Sequence, residues 1–119
     1  MEPQTKPLAQ MECVACRAGE PTVSEAESRE YLKQLPAWMV TTETDIPHLV
    51  RAFAFPDFAS AIDFTNRVGA LAEQEGHHPA LLTEWGRVTV SWWTHLIGGL
   101  HRNDFILAAR TDALYKPQA

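Results

Sequence analysis

Apolar positions along the chain change period several times, and the changes mark out its elements. Ser24-Glu-Ala-Glu27 has the form of a capping box, in which a hydroxyl and a carboxylate satisfy each other's orphan amides. It predicts a helix running to about Leu35, with Tyr31, Leu32 and Leu35 turned inward and Pro36 ending it. Trp38 to Thr44 alternates as a strand, Asp45-Ile-Pro47 turns, and His48 to Phe55 forms a second strand. That strand is apolar on both faces, with Leu49, Phe53 and Phe55 on one and Val50, Ala52 and Ala54 on the other. It therefore calls for cover on both, from helices on one side and another subunit on the other.

Asp57 is the expected N-cap of the longest helix. Phe58, Ala61/Ile62, Thr65, Val68 and Leu71/Ala72 recur three and four apart as its buried stripe. Gly76 supplies a left-handed stop. Residues 80 to 85 and 87 to 94 read as a hairpin about Gly86, with Val88, Val90 and Trp92 on one face and Trp93 and His95 on the other. A last helix spans Leu100 to about Tyr115, with Phe105, Ile106, Ala109 and Ala113 at packing intervals. The order α-β-β-α-β-β-α predicts an α+β fold, an antiparallel sheet with helices packed on one face.

Residues 1 to 21 hold three prolines and few large apolar groups, so a flexible arm is expected there. Residues 22 to 116 form the single domain, and 117 to 119 a short tail. A chain of 119 residues has room for one core and not two. Its formal charge of −5 and the lack of a basic run argue against direct nucleic-acid binding. No apolar stretch is long enough to span a bilayer and no secretory signal is visible, so a cytoplasmic protein is expected. Cys13-Val-Ala-Cys16 has metal-ligand spacing but no second pair nearby, which favours two thiols without an assigned task.

Candidate chemistry concentrates between Glu73 and Asp104. Four of the five histidines, His77, His78, His95 and His101, fall there. Imidazole both gives and takes protons near neutral pH, so several of them point first to proton transfer. The plainer account of His77 and His78 is a surface pair favoured by the negative end of the preceding helix. For His95 it is a strand-end ring bonded to backbone, and for Asp104 a carboxylate favoured at a helix start. A zinc site from His77, His78 and His95 is chemically possible, although adjacent histidines diverge and make awkward joint ligands. No Ser or Cys sits in a nucleophile elbow. Trp85, Trp92 and Trp93 are expected in core or interface packing.

Taken together, Glu73, His77-His78-Pro79, Trp85, Thr94-His95, Gly99-Leu100 and Asp104 resemble the pattern of the pterin-4a-carbinolamine dehydratases, with every spacing kept. The resemblance covers roughly residues 22 to 115, including Trp38 and Phe55-Pro-Asp-Phe58. It implies a four-stranded antiparallel sheet with three helices on one side and assembly as a homodimer or homotetramer. It also implies dehydration of 4a-hydroxytetrahydropterin to the quinonoid dihydropterin, which recycles the cofactor of aromatic amino acid hydroxylases, with the pterin as sole small-molecule partner and no cofactor or metal. His77 and His95 become the acid/base pair, His78 orients the ring or its hydroxyl, and Asp104 and Glu73 support them. Trp38, Pro79 and Thr94 are expected to touch substrate.

Two departures stand out. Leu81 replaces an aromatic residue common in the family. His101 takes the place of a hydroxyl at the last helix's cap, expected to weaken that cap by about 1 kcal/mol. Two rival readings remain: a dimerisation cofactor of a transcription factor, as among animal relatives, and a pterin-binding role in molybdopterin metabolism.

Overall fold

The computed structural model describes residues 7–14, 18–42 and 45–115. Its helices are α1 (Glu25–Leu32), α2 (Phe58–Glu75) and α3 (Arg102–Leu114), and its strands β1 (Met39–Thr41), β2 (His48–Ala54), β3 (Ala80–Glu84) and β4 (Arg87–Trp92). Single 3-10 turns occur at Leu8–Gln10 and His95–Ile97. The strands form one antiparallel sheet in the order β1-β2-β4-β3, with the three helices on one face. The α+β expectation is met. Cys16 and residues 116 to 119 lie outside the described residues, as do Glu43 and Thr44 of the first expected strand.

Local signals placed most elements. Ser24 accepts a hydrogen bond from the Glu27 amide while the Glu27 carboxylate accepts one from the Ser24 amide, so the capping box forms. Asp57 caps α2 by accepting from the Ser60 amide at 2.8 Å. Leu49 and Phe53 from β2 face Val88, Val90 and Trp92 from β4, and all five are buried beneath α2 and α3. Among the described residues the opposite face of β2 stays uncovered, with Ala52 and Ala54 exposed beside Met39 and Leu82.

The buried stripe of α2 differs from expectation by a fraction of a turn. It runs through Ala61, Phe64, Val68 and Ala72, whereas Phe58 is 47% exposed and Ile62 also faces outward. Both registers have helical spacing. The choice falls to Phe64, whose ring packs against Phe53, Phe55 and Tyr115 and can do so only if Phe58 and Ile62 turn away.

The N-terminal arm is likewise not free over residues 7–14. Leu8 is buried in the core, its amide donates to Gln34 Oε1 at 2.8 Å, and the segment lies along α3. One apolar side chain with a prepared socket outweighs the proline content that suggested a loose arm. No described helix is long and apolar enough to cross a membrane.

Candidate active site

Two helix ends and one loop build the site. Gly76 terminates α2 in the left-handed conformation (φ 63°), and the His77 amide bonds back to the Ala72 carbonyl at 3.1 Å. A side chain at residue 76 would be strained there, and the reversal turns the next residue back toward the sheet. His77 therefore points inward, its side chain 15% exposed and its ring lying beside Trp92 at 5.8 Å. Pro79 holds His78 extended, so the second ring goes the other way. It is 62% exposed and meets Glu73 Oε2 at 2.5 Å.

The second helix end is the start of α3. Asp104 is 0% exposed and every polar atom of its carboxylate is engaged. Oδ2 accepts from the Thr94 hydroxyl at 2.7 Å and from the His101 amide at 2.8 Å. Oδ1 lies 2.7 Å from His77 Nε2. A carboxylate accepts, so Nε2 donates and the other ring nitrogen, Nδ1, is left for other work. His101 caps the helix, contrary to the weakened cap expected. Its Nδ1 accepts from the Asn103 amide at 3.0 Å, which puts its proton on Nε2, where it donates to Glu20 Oε2 at 2.8 Å. An imidazole nitrogen replaces the missing hydroxyl as acceptor.

After β4, Thr94 and Gly99 bond to each other through both backbone groups and close a small loop around the His95–Ile97 turn. Gly98 ends that turn at φ 63°, again a position suited to glycine. The loop leaves His95 exposed on the rim, its ring 4.6 Å from Trp93. The regular strand expected to reach Thr94 stops at Trp92, because the chain must turn here to bring Thr94 over Asp104.

A cavity of about 310 Å³ lies between these elements, lined by His77, His78, Trp93, Thr94 and His95 together with Glu75, Leu96, Asn103 and Val14. The three histidines singled out in the sequence thus meet on one cavity. Thr94 lines it too, although its hydroxyl is committed to Asp104. Asp104 stands behind His77, and Glu73 reaches the cavity only through His78. Pro79 fixes the turn without lining the space. Trp38, expected to touch substrate, lies elsewhere: it is buried in the core, donates from Nε1 to Asp112 at 2.8 Å and packs edge-on against Phe53. Trp85 is 73% exposed at the hairpin, outside the core of the described residues. Among the described residues no group of three or more His, Cys, Asp or Glu is arranged to hold a metal ion.

One histidine escaped the sequence reading. His48 opens β2, and the pairing of Leu49 with Trp92 sets it beside Trp93, whose ring it stacks on at 3.8 Å and 8°. Burial, then the neighbouring His95, pushes the pKa of His48 below its ordinary value, with Asp104 opposing. Only the β2–β4 register could have revealed this, since it lies 45 positions before Trp93 in the chain.

The pterin-4-alpha-carbinolamine dehydratase family model matches residues 21–114. This chain belongs to the pterin-4a-carbinolamine dehydratase family. Curated relatives named "Putative pterin-4-alpha-carbinolamine dehydratase" agree. One from Nitrosococcus oceani is 57% identical over 109 residues, covering 92% of this chain and 96% of the relative. Another from Chlorobium limicola is 58% identical over 110 residues, covering 92% and 96%. A crystal structure of a transcriptional coactivator/pterin dehydratase from Brucella melitensis superposes with a TM-score of 0.72 at 29% identity, covering 79% of this chain and 98% of that one. A pterin dehydratase-like RuBisCO assembly factor of the alpha-carboxysome gives 0.56 at 28% identity, covering 66% and 88%. Within this dehydratase family fold, His77, His78, Thr94 and His95 line the cavity and Asp104 stands at the start of α3, whereas Trp85 lies apart on the hairpin.

The dehydratase-family chain also carries a thiol close by. Cys13 is half-buried, and desolvation, followed by the charge of Glu75, pushes its pKa up to about 11. A thiol titrating two units above the ordinary 9.0 carries about 100-fold less thiolate at pH 8. In a Cys16→Ser background, iodoacetamide is expected to label Cys13 about 100-fold more slowly than it labels a free thiol at pH 8, and faster as pH rises toward 11. Labelling at the free-thiol rate overturns this.

Proposed function

We propose that this chain dehydrates 4a-hydroxytetrahydropterins to quinonoid dihydropterins, with His77 and His95 as the acid/base pair. One imidazolium donates a proton to the 4a-hydroxyl as the C4a–O bond breaks and water departs. The other, neutral imidazole takes the N5 proton, and the N–H electron pair forms the C4a=N5 double bond. The observation that carries this reading is the buried Asp104–His77 pair at 2.7 Å opening onto a cavity that His78 and His95 share. Asp104 holds one nitrogen of His77 and so dedicates the other to proton exchange. His95, which lines the same cavity, has the freedom of an exposed side chain. His78 stands next to His77 and orients the bicyclic ring, while Glu73 steadies it. Each proton transfer is worth about 10²–10⁴-fold in rate.

The proposal includes a cytoplasmic location and assembly as a homodimer or homotetramer, for which Met39 and Leu82 on the open sheet face and Phe58 and Ile62 on α2 offer apolar surface. Presence of all three histidines on one cavity favours an enzyme over a scaffold that only assembles with other proteins. The test is rapid-mixing absorbance of quinonoid dihydropterin formed from the 4a-carbinolamine. Wild type is expected to accelerate it and a His77→Ala/His95→Ala double variant to leave it at the uncatalysed rate. Equal rates for the two proteins would falsify the proposal.

A further inference from the structure

The structure assigns residues 7–14 to the site as a strap, and we infer that Val14 on it selects ligands by the charge of their substituent. The family model begins at residue 21, so this strap is an addition to the part of the fold that the model describes. It is fastened at several points. Leu8 is buried in the core, and the Leu8 amide is held by Gln34. Arg110 donates to the Met11 carbonyl while pairing with Glu75 at 3.1 Å. Asn103 grips Val14 from both sides, accepting from its amide at 3.0 Å and donating to its carbonyl at 2.6 Å. Asn103 is buried and its own amide bonds to the His101 cap, so the helix end that positions Asp104 also positions the strap.

The double bond to Asn103 fixes where the Val14 side chain stands. It is half exposed and lines the cavity beside Asn103 and Glu75, and Trp93 and Leu96 supply further apolar lining. Apolar groups therefore stand on separate elements around the space into which the histidines project. Glu75, the one carboxylate among the lining residues, already answers Arg110. Among the described lining residues only the imidazoles can carry positive charge, and in the proposed reaction they serve the reacting ring. A substituent that passes Val14 meets carbon and a carboxylate, with no described lysine or arginine in the lining. A neutral hydroxyalkyl or alkyl substituent is accommodated there, while an anionic one loses its water and gains no lysine or arginine among the described residues.

This inference rests on the dehydratase reading, and its test separates the two. The kcat/KM of two 4a-carbinolamines, one carrying a neutral C6 hydroxyalkyl group and one a C6 carboxylate, is measured for wild type, Val14→Lys and Val14→Asp. Wild type is expected to prefer the neutral substrate. Val14→Lys is expected to cut that preference by about tenfold and Val14→Asp to raise it, as for one charge placed a few ångströms from another near a protein surface. Because Val14 is half exposed, neither change should disturb folding, which thermal melts check. If wild type accelerates neither substrate, the dehydratase reading falls. If it accelerates both and the preference is the same in all three proteins, or both substrates lose equally in the variants, the strap has no part in selection and the inference is overturned.

Discussion

Asp104→Asn should leave the protein folded and lower kcat by about 10²–10⁴-fold. The carboxylate is buried, and its two oxygens have different tasks. Oδ2 accepts two hydrogen bonds, from the Thr94 hydroxyl and the His101 amide, so the amide oxygen of an asparagine must take that place. Its NH2 group then faces His77 Nε2, formerly a donor 2.7 Å from Oδ1. Two donors cannot share that contact. His77 must turn Nε2 into an acceptor and carry its proton on Nδ1, the nitrogen proposed to exchange protons with substrate. The variant keeps the shape and the helix cap and inverts the tautomer. Asp104→Ala removes cap and partner together and is expected to cost about 3 kcal/mol of stability as well. Circular dichroism melts beside turnover separate the two effects. Full activity in a folded Asp104→Asn protein would remove the tautomer argument.

His95→Ala and His77→Ala should both lose about 10²–10⁴-fold in turnover yet differ in stability. His95 is exposed on its loop, so its truncation is expected to change unfolding free energy by less than about 0.5 kcal/mol. His77 is 15% exposed and holds one oxygen of a fully buried carboxylate. Its loss leaves that oxygen without a partner, at a cost of about 1–3 kcal/mol. Urea unfolding measured alongside kcat checks both halves. A His95→Ala protein with wild-type turnover would sink the acid/base pairing, and a His77→Ala protein as stable as wild type would show that the carboxylate finds another partner.

Much of the fold was legible because its signals are local. The capping box at Ser24, the cap at Asp57, the left-handed stop at Gly76 and the alternation through Val88, Val90 and Trp92 each act within a few residues. The stripe of α2 was less legible, since Phe58 and Phe64 both fit a helical period and only contact with Phe53, Phe55 and Tyr115 decides between them. Trp38 stood near the family pattern yet went to the core, drawn by Asp112. The docking of Leu8 depended on a socket that no nearby residue announces.

By itself the sequence determined the element order, the helix ends and the identity of the histidines that carry the candidate chemistry. Each of these follows from spacing or from what one side chain can do to its own backbone. Tertiary structure alone decided that His77 turns in to Asp104 while His78 turns out to Glu73. It also decided that His48 stacks on Trp93 and that Val14 borders the cavity. These depend on strand register and on contacts between residues far apart in the chain, where the free energy comes from burying two surfaces at once and neither stretch of sequence holds more than half of the interaction.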